Sequence, residues 1–433
     1  MGMFLLLVVL IYEIGFAIYC LATKQQHAKV KNWIRIGLFI VFLILTFASV
    51  IEWSLRWGLI ALLLFILAVK ATVSLIRGRT HNRKYSASRI VWKSILVILV
   101  TIIAFSPAIV FPQHDPPKVT GEYKVDTATY TYIDESRIEE FSDKGDNRFV
   151  NVEFWYPKNA EGKFPLLVFS HGAYGVKASN TSTYNELASH GYIVASIDHP
   201  YHSFYTRSEN GEMVMLNTAY NKEIDNMNKG VYSKEELYEL IQKWMKLRRD
   251  DMNFVIDTII AKAKSGENSL YQQIDFETIG VFGHSMGGAA GAWVGRERDD
   301  ISAVVNIDAP FFSELIYDDN TKEYVASNEA YTTPIFNIYS DDVWGQLESN
   351  SLYAANKLDN EQFKQAYTVH FEGAKHLSLT DLPLVSPILA NLLQGGKAEI
   401  DQTYCIETEN ELILEFFDEK LKGIGHFNPE ETY

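Results

Sequence analysis

The stretch Thr278-Ile-Gly-Val-Phe-Gly-His-Ser-Met-Gly-Gly-Ala-Ala-Gly-Ala292 decides how the rest of the chain is read. Ile279 to Phe282 reads as a short buried strand, and Gly287 to Val294 as the start of a helix rich in small residues. Between them stands Gly283-His284-Ser285-Met286-Gly287, the G-x-S-x-G pattern of a nucleophile elbow. A serine on a sharp strand-to-helix turn needs glycines two residues before and after it, because side chains there would collide with neighbouring backbone. The helix that follows points its free N-terminal N–H groups at the reacting centre.

Working outward, a serine nucleophile needs a base to take its proton and an acid to orient that base. On such a sheet the order along the chain is Ser, acid, His, each at the C-terminal end of a strand. After Ser285 only His370, His376 and His426 remain. His370 lies inside an apolar run and His426 in a polar tail, whereas His376 directly follows the last strand in Gly373-Ala-Lys-His376 and is the expected base. Two acids compete: Asp308 ends Val304-Val-Asn-Ile-Asp308, and Asp341, beside Asp342, follows Ile335 to Ser340. Asp308 leads into Ala309-Pro-Phe-Phe312, neighbours that would bury a carboxylate, and is preferred over Asp341 in its polar turn. His171, His199, His202 and His284 show no metal-ligand spacing such as H-E-x-x-H, so no metal is expected, and no cofactor.

The strands around the elbow follow from patterning. Tyr123–Ile133 and Phe149–Tyr156 alternate like an early hairpin. Phe164 to Phe169 and Tyr192 to Asp198 are continuous apolar runs, as central parallel strands require. The first runs into Ser170-His-Gly-Ala-Tyr-Gly175, a loop of the type that supplies oxyanion N–H groups, and a helix around Thr183–His190 separates the two. Residues 201–232, polar and aromatic without a clear period, suit a lid. Ser233-Lys-Glu-Glu236 is a capping box opening a long amphipathic helix whose apolar face includes Leu237, Ile241, Trp244, Val255 and Ile259, and which Gly266 ends. Strands at Ser302–Asp308, Thr333–Ser340 and Ala366–Glu372 follow, and a last helix is expected to open at a second capping box, Thr408-Glu-Asn-Glu411. This β-α-β-α alternation means an α/β fold with a doubly wound, mostly parallel sheet.

The 433 residues divide into two physically different parts. Residues 1–111 hold twelve Lys+Arg and two acids, Glu13 and Glu52; residues 112–433 hold 27 basic and 52 acidic residues, a net charge of −25. The acidic part excludes a nucleic-acid partner and electrostatic adhesion to anionic lipid. Cys20 and Cys405 are the only cysteines, so no disulfide framework exists. Four apolar runs, Phe4–Leu21, Ile36–Ile51, Trp57–Ile76 and Ile90–Phe111, each approach the ~20 residues that a helix needs to cross a bilayer. The first lacks the basic n-region of a signal peptide. Lys24, Lys29, Lys31 and Arg35 mark the first loop as basic; Arg77, Arg79, Arg83, Lys84 and Arg89 mark the third. The positive-inside rule then puts those loops in the cytoplasm and residues 112–433 outside a cell membrane crossed four times. Glu13 and Lys70 are expected to approach each other within the spans. The division expected is a four-span region over 1–111, a stiff Pro-rich linker over 112–120, and a hydrolase domain over 121–425 with its lid at 201–232.

At this point the chain resembles a known family. Phe164–Gly172, Leu187-Ala-Ser-His-Gly-Tyr-Ile-Val-Ala195, Gly283-His-Ser-Met-Gly-Gly288, Ile307-Asp-Ala309, the G-x-x-H ending at His376 and the opening Gly121-Glu-Tyr-x-Val125 look like the plasma-type platelet-activating factor acetylhydrolases. The resemblance spans roughly 120–425 and implies an α/β-hydrolase, a serine-dependent, metal-independent lipase that cleaves short or oxidised sn-2 acyl groups from phospholipids. It implies Ser285 as nucleophile, Asp308 as acid, His376 as base, and the N–H groups of Ala173 and Met286 as oxyanion donors. Its secreted members carry a signal peptide rather than four spans, and 201–232 shows little likeness. The expectation is a membrane-anchored carboxylic-ester hydrolase with a lipid or small ester substrate. The alternatives are a cutinase-like polyester esterase, in which the acid follows the next strand, and a non-catalytic membrane scaffold with a hydrolase-fold binding domain.

Overall fold

The computed structural model describes residues 2–78, 85–357 and 363–433. Two compact units emerge, Met1–Asp115 with Val385–Leu389, and Pro116–Leu384 with Ala390–Tyr433.

The first unit is built on four helices, α1 Gly2–Ala22, α2 Ala28–Phe47, α3 Gly58–Ile76 and α4 Ala87–Val110, each long and apolar enough to cross a membrane. Leu6, Phe42, Trp57, Ile60, Phe105 and Ala108 form its core, while most other large apolar side chains face outward. Two expectations are corrected here. The second helix starts at Ala28, not near Ile36, so Lys29, Lys31 and Arg35 stand on its first two turns rather than in the loop. Glu13 meets these residues and not Lys70: the carboxylate accepts from Lys31 Nζ at 2.7 Å and lies 4.0 Å from Arg35, whereas Lys70 is exposed. The physical reason is cost. A carboxylate 3 % exposed among apolar helices needs a cation that can be buried beside it, and the neighbouring helix supplies two. Arg79, Arg83 and Lys84 of the third loop lie outside the described residues.

The second unit is an eight-stranded sheet with helices on both faces. Its strands are β1 Val125–Ile138, β2 Asn147–Pro157, β3 Phe164–Ser170, β4 Ile193–Asp198, β7 Ile274–His284, β8 Ile301–Ile307, β11 Ile335–Ser340 and β12 Ala366–Phe371, in the spatial order β1-β2-β4-β3-β7-β8-β11-β12. From β4 to β12 all neighbours are parallel; β1 and β2 add an antiparallel edge. β3 and β4 are buried at every residue, which is why both read as unbroken apolar runs rather than alternating ones. Two small hairpins stand apart, β5 Tyr205–Arg207 with β6 Met213–Met215, and β9 Leu315–Asp318 with β10 Glu323–Ala326.

The helices of this unit are α5 Thr181–Ser189, α6 Thr218–Asn228, α7 Lys234–Ser265, α8 Ser269–Gln272, α9 Met286–Glu297, α10 Asp341–Trp344 and α13 Gln402–Phe417, while α11 Leu382–Val385 and α12 Pro387–Leu393 hold residues of both units. One sheet face packs Trp244, Met252 and Ile256 of α7 with Ala289 and Ala290 of α9; the other packs Leu187 of α5 with Ile413, Phe416 and Phe417 of α13. α7 begins and ends as its sequence dictates. Ser233 accepts from the Glu236 N–H, Glu236 accepts from the Ser233 N–H, and Gly266 closes the helix at φ 64°. The last helix differs from expectation. It starts at Gln402, capped by Asp401, whose carboxylate accepts from the N–H groups of Thr403 and Tyr404. Thr408-to-Glu411 therefore lies inside a helix already under way, where a capping-box pattern has no free N–H to satisfy. Residues 201–232 also carry more order than their sequence shows, with a short hairpin and α6 inside them.

Candidate active site

The site grows from the turn between β7 and α9. Ser285 sits there at φ 55° and ψ −126°, backbone that an L-residue adopts only when its surroundings hold it. Those surroundings are two glycines. A Cβ at Gly287 would stand 1.9 Å from the Ser170 carbonyl oxygen, and one at Gly283 would stand 2.4 Å from the Gly287 backbone. Any side chain at either position forces the elbow open. The Ser285 N–H is tied to the Ile307 carbonyl at 2.8 Å, which fixes the turn to the end of β8. α9 begins at Met286, so that N–H is one of the helix's unshared donors.

Asp308 immediately follows β8 and is 1 % exposed. Its carboxylate accepts three hydrogen bonds, each at 2.7 Å: from the Ser340 N–H and hydroxyl at the end of β11, and from His376 Nδ1. His376 is a third exposed, in the loop after β12. Its backbone N–H donates to Asp342 at 2.9 Å, and its carbonyl accepts from His284 Nε2 at 2.9 Å, the two imidazoles lying 4.5 Å apart. Since His284 precedes Ser285, this ties the His376 loop to the elbow. Burial alone would lower the His376 pKa, but the hydrogen bond and charge of Asp308, with Asp342 behind them, raise it above the ordinary histidine value. His284 goes the other way, held well below that value by burial and by the charge on His376.

Asp341 is drawn elsewhere. It is half exposed and accepts from His370 Nε2 at 2.7 Å and from the Gly373 N–H at 2.9 Å. The structure therefore places Ser285, Asp308 and His376 after the C-terminal ends of β7, β8 and β12, joins the last two, and leaves Asp341 on the neighbouring histidine. Asp342 and Ser340, which sequence reasoning did not single out, turn out to hold His376 and Asp308.

Ala173 stands in the loop after β3. A Cβ at Gly172 would meet His284 Nδ1 at 3.0 Å and the Ser285 Cβ at 3.1 Å, so only glycine lets this loop come so close to the serine. From residues 201–232, Tyr220 of α6 donates to the Met286 sulfur at 3.2 Å and stacks on His202 at 3.7 Å. His284, Asp308 and His376 also offer ligand atoms within 4.8 Å of one another, the spacing a metal ion accepts. Two of these atoms, Asp308 Oδ2 and His376 Nδ1, already share a hydrogen bond with each other, and His284 Nε2 donates to a backbone carbonyl.

Beneath the loop lies a second Ser-His-Asp chain. Ser170 Oγ is 2.9 Å from His199 Nε2, and His199 Nδ1 is 3.0 Å from Asp251 Oδ2. All three are completely buried, so no substrate reaches them. Burial pushes the His199 pKa down to about 4, and Asp251, further bonded by Arg148, stays ionised.

Residues 148–430 match the family model described as platelet-activating factor acetylhydrolase, isoform II. The chain belongs to this family. Three of its curated relatives are platelet-activating factor acetylhydrolases: from Canis lupus familiaris, 24 % identical, covering 61 % of this chain and 59 % of the relative; from Bos taurus, 22 % identical, covering 60 % and 57 %; and from Gallus gallus, 25 % identical, covering 60 % and 62 %. The chain thus spans about three fifths of the length of these family members. Among solved structures, a ferulic acid esterase from Streptomyces cinnamoneus superposes with a TM-score of 0.54 at 19 % identity, covering 73 % of this chain and 95 % of that one. Together with the mostly parallel sheet, that likeness makes the fold an α/β-hydrolase.

Proposed function

We propose that this chain is a membrane-anchored serine carboxylic-ester hydrolase, acting on short-chain or oxidised acyl esters in the manner of an acetylhydrolase. The observation that carries this reading is the 2.7 Å link from His376 to the buried Asp308, formed by strand-end loops beside the strained elbow of Ser285. With Nδ1 engaged by Asp308, Nε2 is the nitrogen left to take the Ser285 proton. The hydroxyl oxygen then attacks the ester carbonyl and the bond to the alcohol breaks, His376 returning the proton to that leaving group. Water repeats the cycle on the acyl-enzyme and releases the acid. The N–H groups of Ala173 and Met286 are the proposed donors to the oxyanion. No cofactor is needed. Membership of the family supports the substrate class, a lipid or small ester. The test is covalent labelling of the full-length protein in detergent: an organophosphonate should modify Ser285 alone. Modification of another serine, with Ser285 untouched, would end this assignment.

A pH profile follows from the raised His376 pKa. The base works only as neutral imidazole, so kcat/KM should be full above that pKa and fall about tenfold per pH unit below it. The midpoint of this acid limb is expected above the ordinary value of 6.5. A midpoint below 6.5 would exclude His376 held by a carboxylate as the base.

We further propose that the four helices of residues 1–111 span a cell membrane with residues 121–425 on the outer side. Basic residues concentrated at the first and third connections motivate this. An impermeant thiol reagent on intact cells should label Lys158→Cys and spare Tyr85→Cys. The opposite pattern would invert the topology.

A further inference from the structure

Arg248 is completely buried in the middle of α7, yet among the described residues no carboxylate stands within ion-pair distance of it. A guanidinium with no carboxylate partner is expensive to hold in a protein interior. Its hydrogen bonds say where it is aimed. Nη1 donates to the His171 carbonyl and Nη2 to the Gly172 carbonyl at 3.2 Å, so both contacts fall on the loop that carries Ala173.

We propose that Arg248 is a positioning residue for the oxyanion hole, fixing the plane of the Gly172–Ala173 peptide and so the direction of the Ala173 N–H. A trans peptide is planar, with its C=O and N–H pointing in opposite directions. Anchoring the Gly172 oxygen on α7 therefore turns the Ala173 N–H to the other side of the loop. The loop runs close against Ser285 at Gly172, where a Cβ would lie 3.1 Å from the serine Cβ. Without Arg248 the Gly172 oxygen keeps only His171 Nδ1 and the Gly175 N–H at 3.2 Å, and glycine supplies no side chain to oppose a flip.

The same helix holds the loop at a second point. Asp251, one turn after Arg248, binds His199, which binds Ser170 at the loop's entrance. His171 Nδ1 adds a 2.7 Å contact to the same Gly172 oxygen. The Tyr220 hydroxyl, which donates to the Met286 sulfur, also lies against the guanidinium, whose pKa burial lowers and Tyr220 partly restores. Arg248 thus touches the peptide that carries the Ala173 N–H directly and reaches the Met286 side chain through Tyr220. Its positive charge, set behind peptide dipoles that point toward the reacting carbonyl, adds to the stabilisation of negative charge there.

This inference rests on the esterase reading, and its test separates the two. Arg248→Lys, Arg248→Gln and Arg248→Met are prepared in the full-length protein and assayed on p-nitrophenyl acetate. They are also titrated with an alkyl trifluoromethyl ketone, whose hemiketal with serine bears an oxyanion, and followed by amide hydrogen exchange over residues 171–176. For Arg248→Met kcat should fall by about 10²–10³, the loss that follows removal of one oxyanion donor, with KM within about threefold. The ketone should weaken by the same factor as kcat, and exchange in the loop should quicken at least about tenfold because the carbonyls that anchor it lose their donors and it opens more often. Arg248→Lys, which keeps the charge and one donor, should recover part of each. A merely structural arginine would lower Tm without tying ketone affinity to kcat. A folded variant with kcat within about threefold of the parent, or with unchanged exchange over 171–176, overturns the proposal. Should Arg248→Met fail to fold, the Gln and Lys variants decide by the same readings. If the parent protein hydrolyses no ester, the esterase reading falls, and the exchange arm alone still tells whether Arg248 holds the loop.

Discussion

Ser285→Ala should remove ester hydrolysis, lowering kcat on the order of 10⁶-fold, while leaving the fold as stable as before within about 0.5 kcal/mol. The loss is large because the base, acid and oxyanion donors act through one oxygen; what survives is binding and the oxyanion hole alone. Stability is spared because alanine is also an L-residue at φ 55°, so the elbow keeps the strain it had. Ser285→Gly makes a sharper control. Glycine occupies that backbone region freely, so this variant should be equally inactive and more stable than the parent by roughly 1 kcal/mol. Thermal melts with a p-nitrophenyl ester assay check both halves. Activity within tenfold of the parent in Ser285→Ala would remove Ser285 from the chemistry. A Ser285→Gly variant no more stable than the parent would mean that the elbow stores no strain.

The parts of this site that can be read from the chain are those whose chemistry is local. Gly283 and Gly287 are required by contacts within a few residues of Ser285, and a run such as Phe164 to Phe169 declares a strand buried on both faces. His376 is found by elimination, since the order of the three residues along such a sheet is fixed by where its strands end. What the chain hides is set by distant partners. Arg248 follows Trp244 by four residues and precedes Met252 and Val255, on the buried stripe of α7. Its place on that stripe was the available signal, but a charged residue in an amphipathic helix ordinarily faces water, and only the fold shows two loop carbonyls waiting for it. Glu13 teaches the same lesson in the other direction. Depth within the span pointed to Lys70, but the helix adjacent in sequence extends further than its apolar run and brings Lys31 and Arg35 alongside. Thr408 to Glu411 carries every letter of a capping box and caps nothing, because Asp401 had already started that helix. Local patterns name what a segment can do; neighbours decide whether it does so.

Asp308→Asn should lower kcat by about 10⁴, and the hydrogen bonds of the carboxylate say why. One oxygen accepts from the Ser340 N–H; the other accepts from the Ser340 hydroxyl and from His376 Nδ1. A backbone N–H cannot become an acceptor, so the single oxygen of asparagine stays on Ser340 and its NH₂ turns toward the imidazole. The Ser340 hydroxyl can rotate to accommodate it, but His376 Nδ1 must then give up its proton and accept. That leaves the proton on Nε2, the nitrogen that has to receive one from Ser285, and the base is in the wrong tautomer. Loss of the negative charge should also move the acid limb of the pH profile downward, since the Asp308 hydrogen bond and charge are what raise the His376 pKa against its burial. Asp341→Asn is the contrast. That side chain is half exposed and serves His370 and the Gly373 N–H, so kcat should stay within about tenfold and the acid limb should not move. The two variants together separate the readings drawn from the sequence, because a large loss at Asp341 with little at Asp308 would move the acid to the end of β11 and favour the polyester-esterase arrangement. Equal, small effects at both would leave His376 without an orienting carboxylate, and the mechanism proposed for Ser285 would fall with it.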